Sequence, residues 1–463
     1  MQFEKTTELS RGLKSRHLQM IALGGIIGSG YFLGSSYIIG KAGPASTLAY
    51  LLGGLIVFAV MLCMGELAVA RPVAGSFISY SREFISPSWA CGVGWSYWLT
   101  WVTYVPSEMI AAGIIMHAFI PEISEMWWAV SFGLIITAIN LSKVHLFGEM
   151  EFWLALFKIL ALVMFVVLGG LITFGLVGHH GYVGGSVLLD SGFAPEGYWA
   201  VLLTMVIILV NFQGSEIIGL AAGETQNPGK SIPGTIRQIT FRIIGLYIIP
   251  IAVLVTIFPW DKAGLENSVF AAALDYHGLS WAGGLFSFIV LTAAISCSNS
   301  GLYACTRALY ALSQEGMAPK WFSRLNRQGV PQNATAVSIV FCWLGVIVYT
   351  FDQDKNIYTY LLALSGFSGA IAWISICWSQ LNFRRRLEKA GDITSLSFKT
   401  PFFPYITHFG IWAQVACLLM VAFTEELRTS LYIGLPALIG PVIVYYLATR
   451  RKALASIPGT NES

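Results

Sequence analysis

Long apolar runs separated by short polar segments repeat along almost the whole chain. A helix that crosses a bilayer needs about 20 predominantly apolar residues, and twelve runs come close to this length. They lie at 18–40, 45–70, 90–119, 126–142, 152–177, 198–222, 240–259, 280–313, 334–351, 357–381, 403–423 and 429–449. The pattern therefore predicts an all-α polytopic membrane protein with twelve transmembrane helices.

The positions of lysine and arginine between these runs predict the orientation of the chain. If the N-terminus is cytoplasmic, 22 of the 27 basic residues fall in cytoplasmic segments or at the cytoplasmic ends of spans, and 4 fall in external loops. The remaining one, Lys158, lies inside a span. Positive charge accumulates on the cytoplasmic side of membrane proteins. We therefore expect both termini in the cytoplasm, and a bacterial inner (cytoplasmic) membrane as the location.

Composition supports a membrane protein and excludes several other classes. Of the 463 residues, 56% are hydrophobic and only 11% are charged, whereas about a quarter of a soluble protein is charged. No polar segment is long enough for a separate catalytic or ligand-binding domain. The seven cysteines show no CxxC spacing, which predicts free thiols. The sequence has no HExxH or P-loop pattern, and we expect no metal, no cofactor and no nucleic-acid partner.

The first span carries an unusual cluster of glycines. Residues 21–34 read IALGGIIGSGYFLG and include five glycines, although glycine weakens a helix and exposes its backbone. An opened helix frees N–H and C=O groups, which are tolerated at membrane depth only where they line a cavity or bind something. The alternative is close packing of helices through small residues.

The sixth span repeats this peculiarity. Residues 211–224 read NFQGSEIIGLAAGE, with three glycines among polar side chains. Two glycine-interrupted spans at corresponding places point to an inverted-repeat transporter whose breaks meet near the membrane midplane. Helix N-termini attract a carboxylate and freed carbonyls attract a cation. Together they suit a zwitterion, and an amino acid is the obvious candidate.

Several segments resemble the amino acid–polyamine–organocation superfamily and, within it, the bacterial amino acid transporter family of permeases. The resemblance covers nearly the whole chain and is most specific in the order and spacing of its motifs. These are RGLKSRHLQMIALGGIIGSGYFLG (11–34), KAGPA (41–45), GELAVARPVAGSFISY (65–80), GWSYWLTW (94–101), FGEMEFWLALFKI (147–159), NFQGSEIIGLAAGETQNPGKSIP (211–233) and NSGLYACTRALYALSQEG (299–316).

The resemblance implies a leucine-transporter-type fold, with a five-plus-five inverted repeat, broken helices 1 and 6, and two further C-terminal helices. The implied division is an N-terminal tail (1–17), repeat 1 (18–177), an external loop (178–197), repeat 2 (198–381), a cytoplasmic loop (382–402), the last two helices (403–449) and a C-terminal tail (450–463).

The resemblance also implies how the substrate backbone is held. The turn Gly28-Ser29-Gly30 matches the family's Gly-Ser-Gly motif, so the N–H groups of Ser29 and Gly30 are expected to bind the α-carboxylate. The α-ammonium would face main-chain carbonyls from both breaks. These are expected to be the carbonyls of Ile26, Val210 and Gln213.

Two buried acids are candidate functional residues, because a carboxylate within a span is costly and usually has a purpose. Glu216 follows the second break and would take up a proton, contact a cationic side chain or lock a gate; the alternative is a neutral side chain that caps broken backbone. Glu108 follows Pro106, where a kink is expected, and would face the far end of a cationic substrate. We also expect Glu66, Glu224 and Arg307, near cytoplasmic span ends, to form interfacial or gate ion pairs.

Lys158 is the most specific single candidate for a functional residue. It lies seven residues after Glu151, roughly 10 Å into the fifth span at 1.5 Å per residue. In proton-coupled proteins of the resembling fold a lysine here replaces a sodium ion, which implies a role in proton coupling. Ser296 and Asn299 on the eighth span would form hydrogen bonds to Lys158 or to the carbonyls of helix 1. The alternatives are a lysine that extends to the interface and, for the two polar residues, ordinary interhelical bonding.

These observations predict a secondary active permease that takes up an amino acid with a proton. The sequence and the layout of its motifs most resemble those of permeases for lysine, arginine or ornithine. A permease for neutral or aromatic amino acids and an exchanger remain alternatives, as does an amino acid sensor that does not transport. A membrane enzyme is not expected. The sequence leaves affinity and oligomeric state open.

Overall fold

A computed structural model of the protein describes residues 26–73, 75–141, 145–179, 181, 183, 192–221, 234, 245–264, 268–326, 329–351 and 357–455. The N-terminal tail, the first five residues of the 21–34 glycine segment and Glu224 lie outside this part of the chain. The regular structure within it is helical. The helices are α1 (Ser29–Phe32), α2 (Gly34–Ala42), α3 (Ser46–Ala70), α4 (Ser76–Phe84), α5 (Pro87–Phe119), α6 (Glu125–Leu141), α7 (His145–Thr173), α8 (Gly197–Leu203), α9 (Met205–Phe212), α10 (Ile217–Ala221), α11 (Gly245–Ile257), α12 (Val269–Tyr276), α13 (Ser280–Gln314), α14 (Gln332–Thr350), α15 (Ile357–Ala390), α16 (Tyr405–Met420) and α17 (Thr429–Ala455).

Eight helical stretches of the described chain are long and apolar enough to cross a membrane. They are Ser29–Ala70, Pro87–Phe119, Trp153–Thr173, Ser280–Gln314, Gln332–Thr350, Ile357–Ala390, Tyr405–Phe423 and Glu425–Arg450. The first has 42 residues, which is about 63 Å of helix and twice the thickness of a hydrocarbon core of about 30 Å. The predicted spans at 126–142, 198–222 and 240–259 coincide with the shorter helices α6, α8 to α10 and α11.

The long helix α5 lies at the centre of the fold. It begins with a favourable cap, since Pro87 occupies the first turn and the Ser86 hydroxyl accepts a hydrogen bond from the Trp89 N–H at 3.2 Å. Most of its side chains are buried, including Tyr97 and Trp101. It packs most extensively against α13 and α15, and also against α6, α14 and α17. This central position brings its polar residues close to several other helices.

The helix α7 has two clearly different faces. Large apolar side chains are exposed along one face, with a spacing of three or four residues (Trp153, Phe157, Leu160, Val163 and Val167). This is the periodicity of one helix face, and it is the surface that lipid would cover. Lys158 lies on the other face and is fully buried, so the side chain does not extend towards solvent.

Three helical segments differ from the span boundaries expected from hydropathy. The amphipathic segment 71–90 contains α4, whose Phe77 and Tyr80 are buried while the Ser79 hydroxyl donates to Glu315 after α13 at 2.6 Å. A separate helix, α12, occupies part of the expected loop between 259 and 280. The helix α15 continues beyond residue 381 to Ala390. Hydropathy identifies apolar length, whereas charged and amphipathic residues also form stable helices.

A buried ion pair joins α3 to the last turns of α15. The Arg384 guanidinium donates to both carboxylate oxygens of Glu66, with 2.7 Å between Nε and Oε1. The Thr400 N–H adds a hydrogen bond to Glu66 at 2.6 Å. Glu66 therefore forms an ion pair, as expected, and its partner is Arg384. Arg307 lies over the Tyr303 ring, 4.3 Å from the guanidinium carbon to the ring centre.

Candidate functional site

The first helix is open immediately before α1. Gly28 has an extended backbone (φ −105°, ψ −175°), and α1 starts at Ser29. A Cβ atom at Gly28 would lie closer than 3.0 Å to the Tyr104 hydroxyl, to Glu108 Oε1 and to Cys297 Sγ. Glycine is thus required here by close approach of α5 and α13. We call the segment 26–30 the first break.

Glu108 of α5 contacts the first break directly. Its carboxylate accepts hydrogen bonds from the Ser29 N–H, with distances of 3.1 Å to Oε1 and 3.0 Å to Oε2. Glu108 is fully buried. The Ser29 hydroxyl lies beside this carboxylate and the Tyr358 hydroxyl but meets neither at hydrogen-bonding geometry. The N–H predicted to hold a substrate carboxylate therefore binds a carboxylate of the protein in this structure.

Lys158 approaches the same break with the opposite charge. Its ammonium donates to the Ile27 carbonyl at 2.9 Å and to the Ser296 hydroxyl at 2.8 Å. A buried ammonium is destabilising unless such acceptors surround it. The structure thus brings Lys158 and Ser296 together with the first break, on α7 and α13 respectively.

Asn299 lies elsewhere. Its Oδ1 accepts a hydrogen bond from Asn140 Nδ2 of α6 at 2.9 Å, which is ordinary interhelical bonding. Three residues rotate a helix by about 300°, so Asn299 lies about 60° around α13 from Ser296 and faces a different neighbour. The expectation that Asn299 supports Lys158 directly therefore finds no contact among the described residues.

Tyr247 of α11 also contacts the first break, although the sequence did not mark it as a candidate site residue. Its hydroxyl donates to the Ile26 carbonyl at 2.7 Å, and its own carbonyl accepts from the Tyr31 hydroxyl at 3.0 Å. The two rings also pack, with 4.2 Å between their centres. Tyrosine is common in apolar segments, and no spacing or charge distinguished this one.

The second break separates α9 from α10. Gly214 adopts the left-handed region (φ 103°) that favours glycine. Fully buried Glu216 caps the opened turn, because its carboxylate accepts from the Gly214 N–H at 3.0 Å. The Tyr97 hydroxyl of α5 donates to it at 2.8 Å, and Trp373 Nε1 of α15 at 3.0 Å. Glu216 therefore joins the break to two long helices.

The other residues predicted from the second break are also engaged. The Val210 carbonyl accepts from the Gln213 N–H at 2.9 Å. The Gln213 side chain bonds to α15, donating to the Ser365 carbonyl at 3.1 Å and accepting from the Ser365 hydroxyl at 3.0 Å. Gly30, in the first break, lies next to Asn211 of α9. The two breaks thus lie side by side, and α15 packs against the second.

No group of three or more acidic, histidine or cysteine side chains that suits a metal ion occurs in the part of the chain with described structure. All seven cysteines are free and buried. The charged chemistry of the region therefore comes from Glu108, Lys158 and Glu216.

Comparison with known proteins identifies the family. The family model described as "Amino acid permease" matches residues 17–457. The amino-acid permeases RocC and RocE of Bacillus subtilis (strain 168) are each 39% identical over 454 residues, and the matched region covers 96% of both chains for RocC and 97% of both for RocE. The gamma-aminobutyric acid permease of the same organism is 35% identical over 455 residues, which cover 98% of this chain and 96% of the relative.

These matches run from end to end and confirm the resemblance seen in the sequence. They also agree with the eight described helical stretches that are long and apolar enough to cross a membrane. The chain belongs to the amino acid permease family, multi-pass membrane transporters of the amino acid–polyamine–organocation superfamily.

Proposed function

We propose that this permease is a secondary active transporter that takes up an amino acid together with a proton by alternating access. The observation that carries the proposal is the pairing of opposite charges with two main-chain groups of the first break. The Lys158 ammonium donates a hydrogen bond to the Ile27 carbonyl, and the Glu108 carboxylate accepts one from the Ser29 N–H. Two main-chain groups that lie two residues apart, one attracting a cation and the other an anion, suit a zwitterionic ligand.

In this proposal the N–H groups of Ser29 and Gly30 hold the substrate carboxylate. Substrate and Glu108 then compete for the Ser29 N–H. The carbonyls of Ile26 and Gln213 are acceptors for the α-ammonium. The Val210 carbonyl is a further acceptor, because a carbonyl that already accepts one hydrogen bond retains a second lone pair.

Lys158 is the proposed proton carrier. Its protonated form ties the first break to α13 through Ile27 and Ser296. A conformational change that withdraws all the acceptors of Lys158, Ile27 and Ser296 among them, would leave a bare buried charge, which favours release of the proton. Glu216 is proposed as a lock that opens with the second break and as a second site for the proton.

The proposed topology has twelve crossings, the five-plus-five inverted repeat with two C-terminal helices, and the repeat boundaries given above. The 42-residue stretch Ser29–Ala70 supports two crossings in its region. The charge distribution supports cytoplasmic termini and residence in the bacterial cytoplasmic membrane.

Lysine, arginine or ornithine is the preferred substrate class, supported by the resemblance and by the acids near the breaks. A permease for neutral or aromatic amino acids is the second candidate. It is favoured by one observation, which is that the carboxylates of Glu108 and Glu216 are both engaged by protein donors. The relative named gamma-aminobutyric acid permease is consistent with varied substrates in the family.

Uptake by liposomes that contain the purified protein tests the function. We expect radiolabelled lysine or arginine to accumulate when the outside is acidic, and not in protein-free liposomes or without the gradient. Accumulation driven by sodium would contradict proton coupling. Binding without accumulation would support a sensor instead.

A competition panel of the twenty amino acids and ornithine tests the substrate class. We expect lysine, arginine and ornithine to compete best. If neutral amino acids compete and these three do not, the second candidate is correct. Counterflow of labelled substrate against an unlabelled internal pool, measured without a pH gradient, distinguishes exchange from symport.

A further inference from the structure

A chain of hydrogen bonds connects the helix before the second break, α9, to the helix that follows the opening of the first, α1. Asn211 Nδ2 lies 2.6 Å from the Tyr50 hydroxyl oxygen, which lies 2.6 Å from the Ser35 hydroxyl oxygen. The Ser35 hydroxyl in turn contacts the Tyr31 carbonyl. These side chains are all buried. The chain therefore runs from α9 through α3 to α2 and ends on the main chain of α1.

The last group of the chain is the Tyr31 carbonyl, and it decides which partner donates in every hydrogen bond of the chain. A carbonyl only accepts, so the single Ser35 hydroxyl proton points at Tyr31. Ser35 must then accept the Tyr50 hydroxyl proton, and Tyr50 must accept from Asn211. Only the amide nitrogen can donate, so the amide of Asn211 has one possible orientation. Its oxygen, Oδ1, faces away from Tyr50.

Asn211 Oδ1 is directed at the first break. A Cβ atom placed on Gly30 would lie 3.1 Å from it. Asn211 is 1% exposed, and Oδ1 accepts no hydrogen bond from the described residues. A buried acceptor without a donor destabilises a protein, and an unsatisfied one in a native fold calls for an explanation. A ligand that brings a donor would supply it.

We propose that Asn211 Oδ1 accepts a hydrogen bond from the α-ammonium of the bound amino acid. The Ile26 carbonyl shares its lone pairs between the ammonium and the Tyr247 hydroxyl, whereas Oδ1 is held in one orientation by the hydrogen-bond chain and accepts from no described residue. Asn211 is thus a specificity-determining residue that selects amines over acids that lack the amino group. The inference rests on the proposed function, since it assumes an amino acid at the first break.

Competition binding to the purified protein tests this role with matched pairs of ligands. The pairs are arginine with δ-guanidinovaleric acid and leucine with isocaproic acid, which differ only in the α-amino group. For the pair that the wild type distinguishes, Asn211→Leu should reduce the preference for the amine by about ten- to a hundredfold, because a hydrogen bond to a charged group is lost. Asn211→Asp loses the donor to Tyr50 but keeps an acceptor and adds negative charge beside the ammonium, and it should keep or increase the preference for the amine.

Ser35→Ala is a graded comparison, since it removes the link that fixes the direction of the chain but leaves the Asn211 amide in place. It should lower the preference for the amine by less than Asn211→Leu does. The inference is overturned if Asn211→Leu weakens both members of a pair by the same factor or changes neither. If the leucine variant does not fold, a lower preference in Asn211→Asp than in the wild type overturns it. A wild type that does not prefer either amine contradicts the proposed function itself.

Discussion

At the scale of single residues, the first break is defined by two charges that bind its main chain. Lys158 approaches a carbonyl and Glu108 an N–H group two residues later. Each charge is buried, and each would be strongly destabilising without these partners. The two side chains thus hold open a segment that would otherwise leave its polar groups unsatisfied.

Replacing Lys158 by methionine should abolish accumulation driven by a pH gradient. Methionine fills similar space but cannot carry a proton or donate to the Ile27 carbonyl. We expect substrate binding, measured by thermal stabilisation, to survive within about tenfold, a loss comparable to one hydrogen bond. Ser296→Ala leaves the Ile27 acceptor in place and should reduce uptake only partly. Full gradient-driven accumulation by Lys158→Met would exclude Lys158 as the carrier.

Gly28→Ala should reduce uptake at least tenfold. Its new methyl group would meet Tyr104, Glu108 and Cys297, and such overpacking costs about 1–3 kcal/mol. Gly170→Ala is the control, because a Cβ there meets nothing within 4 Å and alanine favours the helix. The control should transport normally. Equal uptake by both variants would show that the close approach at Gly28 does not matter.

The sequence made some residues of the site conspicuous and left others hidden. Lys158, Glu108 and Glu216 stood out because charge is rare in an apolar span. Tyr247 and Trp373 did not, because aromatic residues are common there and their role depends on which helix packs opposite. The partner of Glu108 was also not predictable, since the direction of a side chain is decided by packing.

At the scale of elements, the second break is joined to its surroundings by Glu216. One carboxylate receives hydrogen bonds from the turn itself, from α5 and from α15. All three groups are donors, so the site is matched to an acceptor. Movement of α10 relative to either long helix therefore breaks bonds to a buried group.

Glu216→Gln should destabilise the folded protein by about 1–3 kcal/mol, because the amide group places a donor against donors. Tyr97→Phe removes one donor and should cost about 1 kcal/mol. Thermal unfolding of the wild type and both variants in the same detergent gives the order of their stabilities. If Glu216→Gln is as stable as the wild type, the carboxylate is not an acceptor for these groups.

Helix ends were less predictable than helix existence. The glycines of residues 211–224 indicated an interruption, and α9 and α10 are separated there. The extension of α15 to Ala390 was not expected, because Arg384 to Arg386 ended the apolar run. Those charges are tolerated since Arg384 binds Glu66, a partner 318 residues away in sequence that hydropathy cannot identify.

At the scale of the whole molecule, two ion pairs of similar chemistry have very different surroundings. The Glu66–Arg384 pair is almost fully buried, with side-chain exposures of 0% and 7%. The Lys41–Glu426 pair is half exposed, at 52% for each side chain. The first joins α3 to α15, while the second joins α2 to the segment before α17.

Glu66→Gln should therefore destabilise the protein far more than Glu426→Gln. Breaking a buried pair leaves an uncompensated charge and costs about 3–5 kcal/mol, whereas an exposed pair contributes about 0–1 kcal/mol. Unfolding of the two variants, measured at low and high salt, provides the comparison. Similar losses would mean that Arg384 finds another partner or reaches solvent.

In the proposed binding mode, the Ile26 carbonyl and the N–H groups of Ser29 and Gly30 that hold the substrate backbone belong to the main chain. Only a change to proline removes a main-chain N–H, and no substitution removes a carbonyl, so these contacts would be protected against most mutations, whereas the contact of the Asn211 side chain would not. Side chains around the site are free to diverge by comparison. Directed evolution of this protein should accordingly yield altered side-chain preference far more readily than transport of molecules that are not zwitterions.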